Sequence, residues 1–219
     1  MIEKALAMPP NEPELTTRLF SDGDASALDP LALFDLWLAE AEKTEPADAN
    51  AMTLATAGEG GMPDARIVLL KVRDEGGFSF FTNLDSDKGR QLERNPNAAL
   101  LFHWKSLTRQ VRVRGPVAHV PAAAADAYFA SRPHGSQVGA HASDQSRPLA
   151  SRAALLIRMQ EFEKRFAAQK VPRPPRWLGY TLTPLRIEFW RASDFRLHDR
   201  VAFTRPGPAA PWTRSRLYP

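Results

Sequence analysis

The sequence predicts a mainly β protein with flanking helices, an α+β chain whose strands form an antiparallel barrel. Three observations carry this expectation. From Ala51 onward, short runs rich in β-branched and aromatic residues recur, and most are joined by turn compositions rather than helices. Helical periodicity is confined to a few separate stretches. The regular strand–helix alternation of a parallel doubly wound sheet is missing. With 219 residues, 43% hydrophobic and 25% charged, the chain suits a single globular domain over residues 29–219 behind a flexible arm over 1–28.

Residues 1–28 are rich in Pro, Asp, Ser and Thr without sustained periodicity, which reads as an arm. Asp29 then offers an N-cap and Pro30 a first helical residue. Leu31, Phe34, Leu38 and Ala41, with Trp37 beside them, mark one apolar helix face to about Lys43. Strands follow in "AMTLATA", "DARIVLLKVRD" and "GFSFFTN", separated by "GEGGMP" and "EGG". "RIVLLKV" is apolar on both faces, so a buried central strand is expected there. "SDKGRQLERN" reads as a short helix stopped at Asn95-Pro96. "AALLFHWK" and "TRQVRVRGPVAHV" read as strands, the second with Gln110, Arg112 and Arg114 on one face and Val111 and Val113 on the other. "PAAAADAYFASR" is helical up to Pro133, and "HGSQVGAHASDQSRPL" has a loop composition. Ser151 caps a longer helix whose buried stripe is Leu155, Leu156, Met159, Phe162 and Phe166. After "VPRPPR" the chain returns to strands in "WLGYTLTPLRIEFW", "RVAFTRP" and "WTRSRLYP".

Much chemistry is excluded at once. The absence of cysteine removes disulfides, thiolate nucleophiles and Cys-based zinc sites. The five histidines, at 103, 119, 134, 141 and 198, show no helical metal-ligand spacing, so no metal is expected. GxGxxG, P-loop, HExxH and GxSxG patterns are all missing. The opening "MIEKALAMPPNEPELTT" lacks the apolar run of a signal peptide, and nowhere do 18 apolar residues run together. A cytoplasmic protein without a membrane partner is expected. The net charge of +4 comes mostly from arginine, which suits bidentate recognition of phosphate or carboxylate. A GC-rich genome produces the same bias. The arginines are dispersed among acidic residues, so no nucleic-acid stripe is expected.

Four polar clusters remain, each open to two readings. Arg66 and Lys71 bracket "IVLL" and face either water or an anion. In "FTNLDSDKGRQ", Thr82 ends a strand and Lys88 enters a helix whose first N–H groups suit a phosphate, while Asp87 competes for the same dipole and favours a plain capping turn. Tyr128, Arg132 and Ser136, spaced by four, form a phosphate cage if the helix continues past Pro133. Otherwise Arg132 merely stabilises a helix end. In "FWRASDFRLHDR", Arg196, His198 and Arg200 alternate and share one face of an extended strand, beside Phe189 and Trp190. That face is either a solvated edge or a seat for a flat anionic ligand.

Taken in order, "RIVLLK", "FFTNLDSDKGRQ", "RQVRVRG", "YFASRPHGSQVGAHAS" with the following "QS", "VPRPPRWLGY", "IEFW" with "RLHDR", and the ending "RLYP" resemble the pyridoxine/pyridoxamine 5′-phosphate oxidases. The match spans about Asp29 to Pro219. The resemblance implies a split β-barrel of the FMN-binding type, working as a homodimer with FMN at the subunit interface. It also implies oxidation of pyridoxine or pyridoxamine 5′-phosphate to pyridoxal 5′-phosphate with O2 as acceptor. Carried over residue by residue, Arg66, Ile67, Val68, Leu69, Leu70 and Lys71 would lie along FMN, with Arg66 on its phosphate. Phe81, Thr82, Lys88, Gln110, Gln145, Ser146, Trp190 and Arg200 would complete that site. Lys71, Tyr128, Arg132 and Ser136 would hold the substrate phosphate. Arg196, Leu197 and His198 would lie against the substrate ring, with Arg196 and His198 as the catalytic pair.

Three positions depart from the family pattern. Asp87 stands where relatives usually carry arginine on the FMN phosphate. The arm "TTRLFSDGD" offers Arg18 and Phe20 but no tyrosine. Arg191 follows Trp190 where a neutral residue or histidine is usual. Two rivals stand beside the main reading. One is a phenazine-biosynthesis oxidase of the same fold, against which Lys71, Tyr128, Arg132 and Ser136 argue. The other is a non-catalytic flavin- or haem-binding split-barrel protein.

Overall fold

The structure, a computed structural model, describes residues 12–21 and 28–219. Its contacts divide the chain into two compact units, each discontinuous in sequence. Among the described residues, unit one comprises 12–21, 28–50, 101–113 and 185–219, and unit two comprises 51–100 and 114–184. The strands β5 (Asn97–Trp104) and β6 (Arg109–His119) each contribute residues to both.

In unit one, Asp29 caps helix α2 (Pro30–Thr44), its carboxylate accepting from Leu31 N at 3.0 Å with Pro30 at the first helical position. Phe34 and Trp37 on its inner face are fully buried, as are Phe102, Phe189 and, nearly so, Phe203. Trp37 meets Phe189 edge-on, with centroids 5.0 Å apart at 87°. Each such ring removed from water contributes roughly 1.5–3 kcal/mol, so this cluster rather than helix propensity holds the unit. Part of the expected arm is itself structured. Glu12–Phe20 form helix α1, with Leu19 and Phe20 buried and Thr16 accepting from Trp37 Nε1 at 3.1 Å. The sequence hides this helix because it is short and sits in a stretch rich in Pro, Asp, Ser and Thr, and its stability comes from packing. The rest of the expected arm, residues 1–11 and 22–27, lies outside the described residues.

Strands β8 (Arg186–Arg191), β9 (Asp199–Thr204) and β10 (Thr213–Leu217) pair antiparallel, with Trp190 opposite Arg200. The segment between β8 and β9 corrects an expectation. Asp194–Arg196 form a single 3₁₀ turn with left-handed backbone at Phe195 (φ 55°) and Arg196 (φ 62°). Arg196, His198 and Arg200 therefore do not share one strand face, and only Arg200 belongs to a strand. Alternation in sequence implies a common face only where the backbone is extended.

In unit two, β1 (Ala51–Ala57) pairs antiparallel with β2 (Pro63–Leu69). β2 is an edge strand whose side chains are largely exposed, Ile67 to 64%, so the expected buried central strand is corrected. An apolar strand reads as central whichever molecule covers it, and periodicity cannot tell cover within the chain from cover outside it. After a break at Leu70-Lys71 come β3 (Val72–Asp74) and β4 (Gly77–Asn83). β4 pairs with β7 (Trp177–Leu182), which in turn pairs with the end of β6. All these pairings are antiparallel.

Helix α3 (Asp87–Arg94) starts at Ser86, whose hydroxyl accepts from Gly89 N, and stops at Asn95 as expected. Helices α4 (Ala122–Ser131), α5 (His134–Ala142) and α6 (Arg152–Phe166) follow. The stretch beginning His134 is thus helical, not a loop. Gly and Ser mask a helix that Pro133 starts and that buries Val138 and Ala142, four residues apart. Phe129, Val138, Phe166, Val171 and Trp177 form one buried cluster, with Met159 and Phe162 packed partly against it. The expected α6 stripe is narrower than its pattern, since Leu156 is 49% exposed.

Candidate functional site

Unit two contains a cavity of about 690 Å³. Among its lining residues are Arg66, Ile67, Val68, Leu69, Lys71, Phe81, Thr82, Lys88, Tyr128, Arg132, Ser136, Gln145 and Ser146. Residues distant in sequence are brought together by β2, β4, α3, α4 and α5. β2 and the break after it bring Arg66 and Lys71, with Lys71 N donating to Ser79 O at 2.9 Å. The end of β4 brings Phe81 and Thr82, the start of α3 brings Lys88, and the α4–α5 corner brings Tyr128, Arg132 and Ser136. Leu70 is buried to 5% exposure and is not among the residues lining this cavity.

The corner resolves the question raised by the four-residue spacing. The helix does not continue: Arg132 has extended backbone (φ −72°, ψ 151°) and ends α4, and Pro133 opens α5. Tyr128, Arg132 and Ser136 still line one cavity, because two helices meeting there replace the single turn that the spacing implied.

Two close backbone approaches shape the walls. A Cβ at Gly89 would overlap the Leu84 carbonyl, so only glycine lets the first turn of α3 settle against residue 84 and bring Lys88 in. A Cβ at Gly179 would press on Phe81 at 2.8 Å. Phe81 instead packs against both Tyr128 (4.2 Å, 22°) and Trp177 (5.2 Å, 6°), whose rings are themselves 6.1 Å apart.

The electrostatics are those of an anion site. Lys88 is buried to 8% exposure, and its ammonium donates to Gln145 Oε1 at 3.1 Å and Ser86 Oγ at 3.3 Å. Burial, reinforced by the Arg66 charge, pushes its pKa below the ordinary lysine value. Arg132 lies 4.8 Å above the Trp177 ring, and its Nη1 is buried with no hydrogen-bond partner. Desolvation lowers its pKa too, though guanidinium stays charged. Among the described residues, Lys71, Lys88 and Arg132 form no ion pair with a carboxylate. Three cations and an orphaned N–H around one cavity fit a ligand carrying phosphate, and hence fit FMN and a phosphorylated substrate. Arg66 differs: it is already paired with Asp64 and donates to Leu54 O and Thr56 Oγ1 at 3.1 and 2.6 Å.

The remaining expected residues lie in unit one. Gln110, Trp190 and Arg200 line a smaller cavity of about 200 Å³ with Leu101, Arg112, Glu188 and Pro219. Leu197, His198 and Arg200 line another, of about 530 Å³, with the chain end. Glu188, 5% exposed, anchors both: it accepts from Arg112 at 2.6 Å, Arg200 at 2.7 Å and Arg186 at 3.3 Å. Burial alone would raise its pKa, but the Arg200 and Arg112 hydrogen bonds outweigh that and hold it below the usual carboxylate value. The His198 ring lies 4.7 Å from Trp190, and its Nδ1 accepts from Ser193 N at 3.2 Å, which leaves Nε2 to carry the proton in the neutral ring. Arg196 is exposed on the left-handed turn and lines neither cavity.

The departures have structural counterparts. Asp87 turns to Arg90 and is not among the residues of the large cavity. Arg191 pairs with Asp199 at 2.7 Å and stacks 4.5 Å over Phe20 of α1. Sequence reasoning missed Trp177, Asn83 and Ser143 as lining residues. The signal for Trp177 was an aromatic directly after "VPRPPR", at the mouth of a strand.

The chain matches known proteins along most of its length. Residues 38–166 match the family described as "Pyridoxamine 5'-phosphate oxidase", and residues 177–219 match "Pyridoxine 5'-phosphate oxidase C-terminal dimerisation region". A curated pyridoxine/pyridoxamine 5′-phosphate oxidase of Azorhizobium caulinodans is 55% identical over 97% of this chain and 98% of its own. That of Maricaulis maris is 59% identical over 87% and 86%. Among solved structures, PhzG from Burkholderia lata, in complex with tetrahydrophenazine-1-carboxylic acid, superposes with a TM-score of 0.82. It is 31% identical and covers 91% of this chain and 96% of its own. A pyridoxamine 5′-phosphate oxidase-related, FMN-binding protein from Nostoc punctiforme has a TM-score of 0.69 at 16% identity, which speaks for the fold alone. The fold is mainly antiparallel β with a few helices, of the split-barrel class. By its sequence matches along nearly its whole length, the chain belongs to the pyridoxine/pyridoxamine 5′-phosphate oxidase family of oxidoreductases.

Proposed function

We propose that the protein is an FMN-dependent oxidase that converts pyridoxine or pyridoxamine 5′-phosphate to pyridoxal 5′-phosphate. The substrate C4′ loses two electrons, and O2 is reduced to hydrogen peroxide. For the amine, water enters and ammonia leaves. The observation that carries this reading is the convergence of Lys71, Tyr128, Arg132 and Ser136 on the large cavity that also holds Arg66, Thr82, Lys88, Gln145 and Ser146. Two phosphates, each roughly −1.5 to −2 near neutral pH by analogy with phosphorylated side chains, call for separate cationic groups.

Bound FMN supplies the hydride acceptor. The protein binds and orients. Lys88, held by Gln145 and Ser86, and Arg66 serve the cofactor phosphate. Arg132, over the Trp177 ring, and Lys71 serve the substrate phosphate with the Tyr128 and Ser136 hydroxyls. Arg196 and His198 press on the substrate ring, and His198 Nε2 hydrogen-bonds a ring substituent or moves a proton there. The protein works as a homodimer with FMN at the interface, a reading that the matched dimerisation region and the exposed edge of β2 support. A cytoplasmic location accords with the absence, among the described residues, of any helix long and apolar enough to cross a membrane.

The likeness to PhzG favours a second reading, oxidation of a phenazine-type acid on the same fold. The test is the visible spectrum of the purified protein together with oxygen-dependent turnover of pyridoxine 5′-phosphate against unphosphorylated pyridoxine. Bound flavin, hydrogen peroxide and dependence on the phosphate are expected. A flavoprotein indifferent to the phosphate would favour the phenazine-type reading. A colourless protein that takes up no FMN would sink both.

A further inference from the structure

Arg66 sits in a closed ring of acceptors, and one member of that ring belongs to neither its strand nor the strand paired with it. Gln91, in the second turn of α3, accepts at Oε1 from Arg66 Nη2 at 3.1 Å and also from the Thr56 hydroxyl. Its Nε2 donates to Asp64 Oδ2 at 3.0 Å. Thr56 in turn accepts from Arg66 Nη1 at 2.6 Å, and Asp64 pairs with Nη2. The amide has one workable orientation here, because only its oxygen can face a guanidinium and a hydroxyl donor while its nitrogen faces a carboxylate. Leu54 O and Thr56 Oγ1 occupy the two hydrogens on Nη1, and Asp64 and Gln91 occupy the two on Nη2. The guanidinium plane is thus fixed, and Nε–H remains for a ligand. Three residues earlier on the same helix, Lys88 enters the same cavity.

We propose that Gln91 is a positioning residue for phosphate recognition. It locks the Arg66 guanidinium and ties its orientation to the helix that carries Lys88, so that the two cations act as one preorganised anion clamp. Gln91 does not line the cavity, and it acts through Arg66. This rests on the FMN reading above. Without Gln91, Arg66 keeps its charge and its bonds to Leu54, Thr56 and Asp64 but loses the one that ties it to α3, so its alignment with Lys88 must be set when the phosphate arrives, and that cost falls on affinity for the phosphorylated ligand alone.

The test compares FMN with riboflavin, which lacks the phosphate, by titration into flavin-free protein with flavin fluorescence as the readout. Gln91→Met keeps the volume and helix propensity while removing both hydrogen-bonding functions. It should raise the Kd for FMN about tenfold, the loss of roughly one hydrogen bond's worth of preorganisation, and leave that for riboflavin unchanged. In an Arg66→Ala background the same substitution should have no further effect on FMN. Equal weakening of FMN and riboflavin would reduce Gln91 to a structural role and overturn the proposal. So would unchanged FMN affinity, or a full additional loss without Arg66. Wild-type protein that binds the two flavins alike, or neither, would overturn the cofactor reading itself and this inference with it.

Discussion

Arg132 offers a sharp test of the phosphate cage because the structure predicts opposite effects on stability and on binding. In the protein without ligand, its Nη1 is buried and unpartnered, and an orphaned buried donor costs about 1–3 kcal/mol. Stacking over Trp177 at 4.8 Å and Phe129 at 5.5 Å returns about 0.5–2 kcal/mol. Arg132→Met keeps an unbranched side chain against those rings and removes the orphan. The ligand-free variant should therefore match or exceed wild type by up to about 2 kcal/mol, which for a chain of this length is roughly 4–8 °C in Tm. Pyridoxal 5′-phosphate should raise the wild-type Tm and leave that of Arg132→Met nearly unmoved, because a ligand stabilises only the state it binds. Thermal unfolding with and without the ligand checks both halves. A variant that is several degrees less stable than wild type, yet still responds fully to the ligand, would refute the argument and make Arg132 structural.

Other expectations follow from single features. Glu188→Gln should destabilise by about 3 kcal/mol, because it leaves the Arg200 and Arg112 charges without their buried partner. Since the Glu188 carboxyl titrates below its ordinary value, its contribution is present above about pH 4.3 and lost as pH falls through the folded-state value. Urea unfolding from pH 6 down to 3 should thus show a flatter loss in the variant. Gly89→Ala should abolish flavin retention by pushing the first turn of α3 off the Leu84 carbonyl, and gel filtration with the flavin spectrum reads both shape and cofactor. Arg196→Ala should depress turnover far more than FMN retention. Equal loss of both in steady-state assays and the visible spectrum would move Arg196 into the cofactor site.

Much of the fold was legible because local rules and packing agree there. Asp29-Pro30 and Ser86 are side-chain caps whose chemistry needs no distant partner, and the helices they open begin where expected. The failures share one cause, dependence on what lies opposite. α1 and α5 are only nine residues each and are held by Trp37 and by the Phe129–Trp177 cluster. β2 reads as buried because apolar residues fill both its faces, while the chain itself covers little of it. At the site, the phosphate cage was visible as a spacing, although the helix imagined to align it is broken at Arg132. The row Arg196, His198, Arg200 misled, because alternation carries no meaning through a left-handed turn. Gln91 gave no sign at all, since its role appears only once β1, β2 and α3 are brought together.

The turn between β8 and β9 has a bearing on engineering. Phe195 holds a φ of 55°, a conformation that suits glycine or asparagine, and is 93% exposed in the single chain. Within the single chain neither the backbone nor the surroundings favour phenylalanine there, so folding of the single chain does not account for it. A programme that hardened the protein by relieving strain and removing exposed apolar groups would choose Phe195 early, for a gain on the order of 1 kcal/mol. On the role proposed for Arg196, the same change would free the backbone on which that residue stands and trade turnover for thermal robustness.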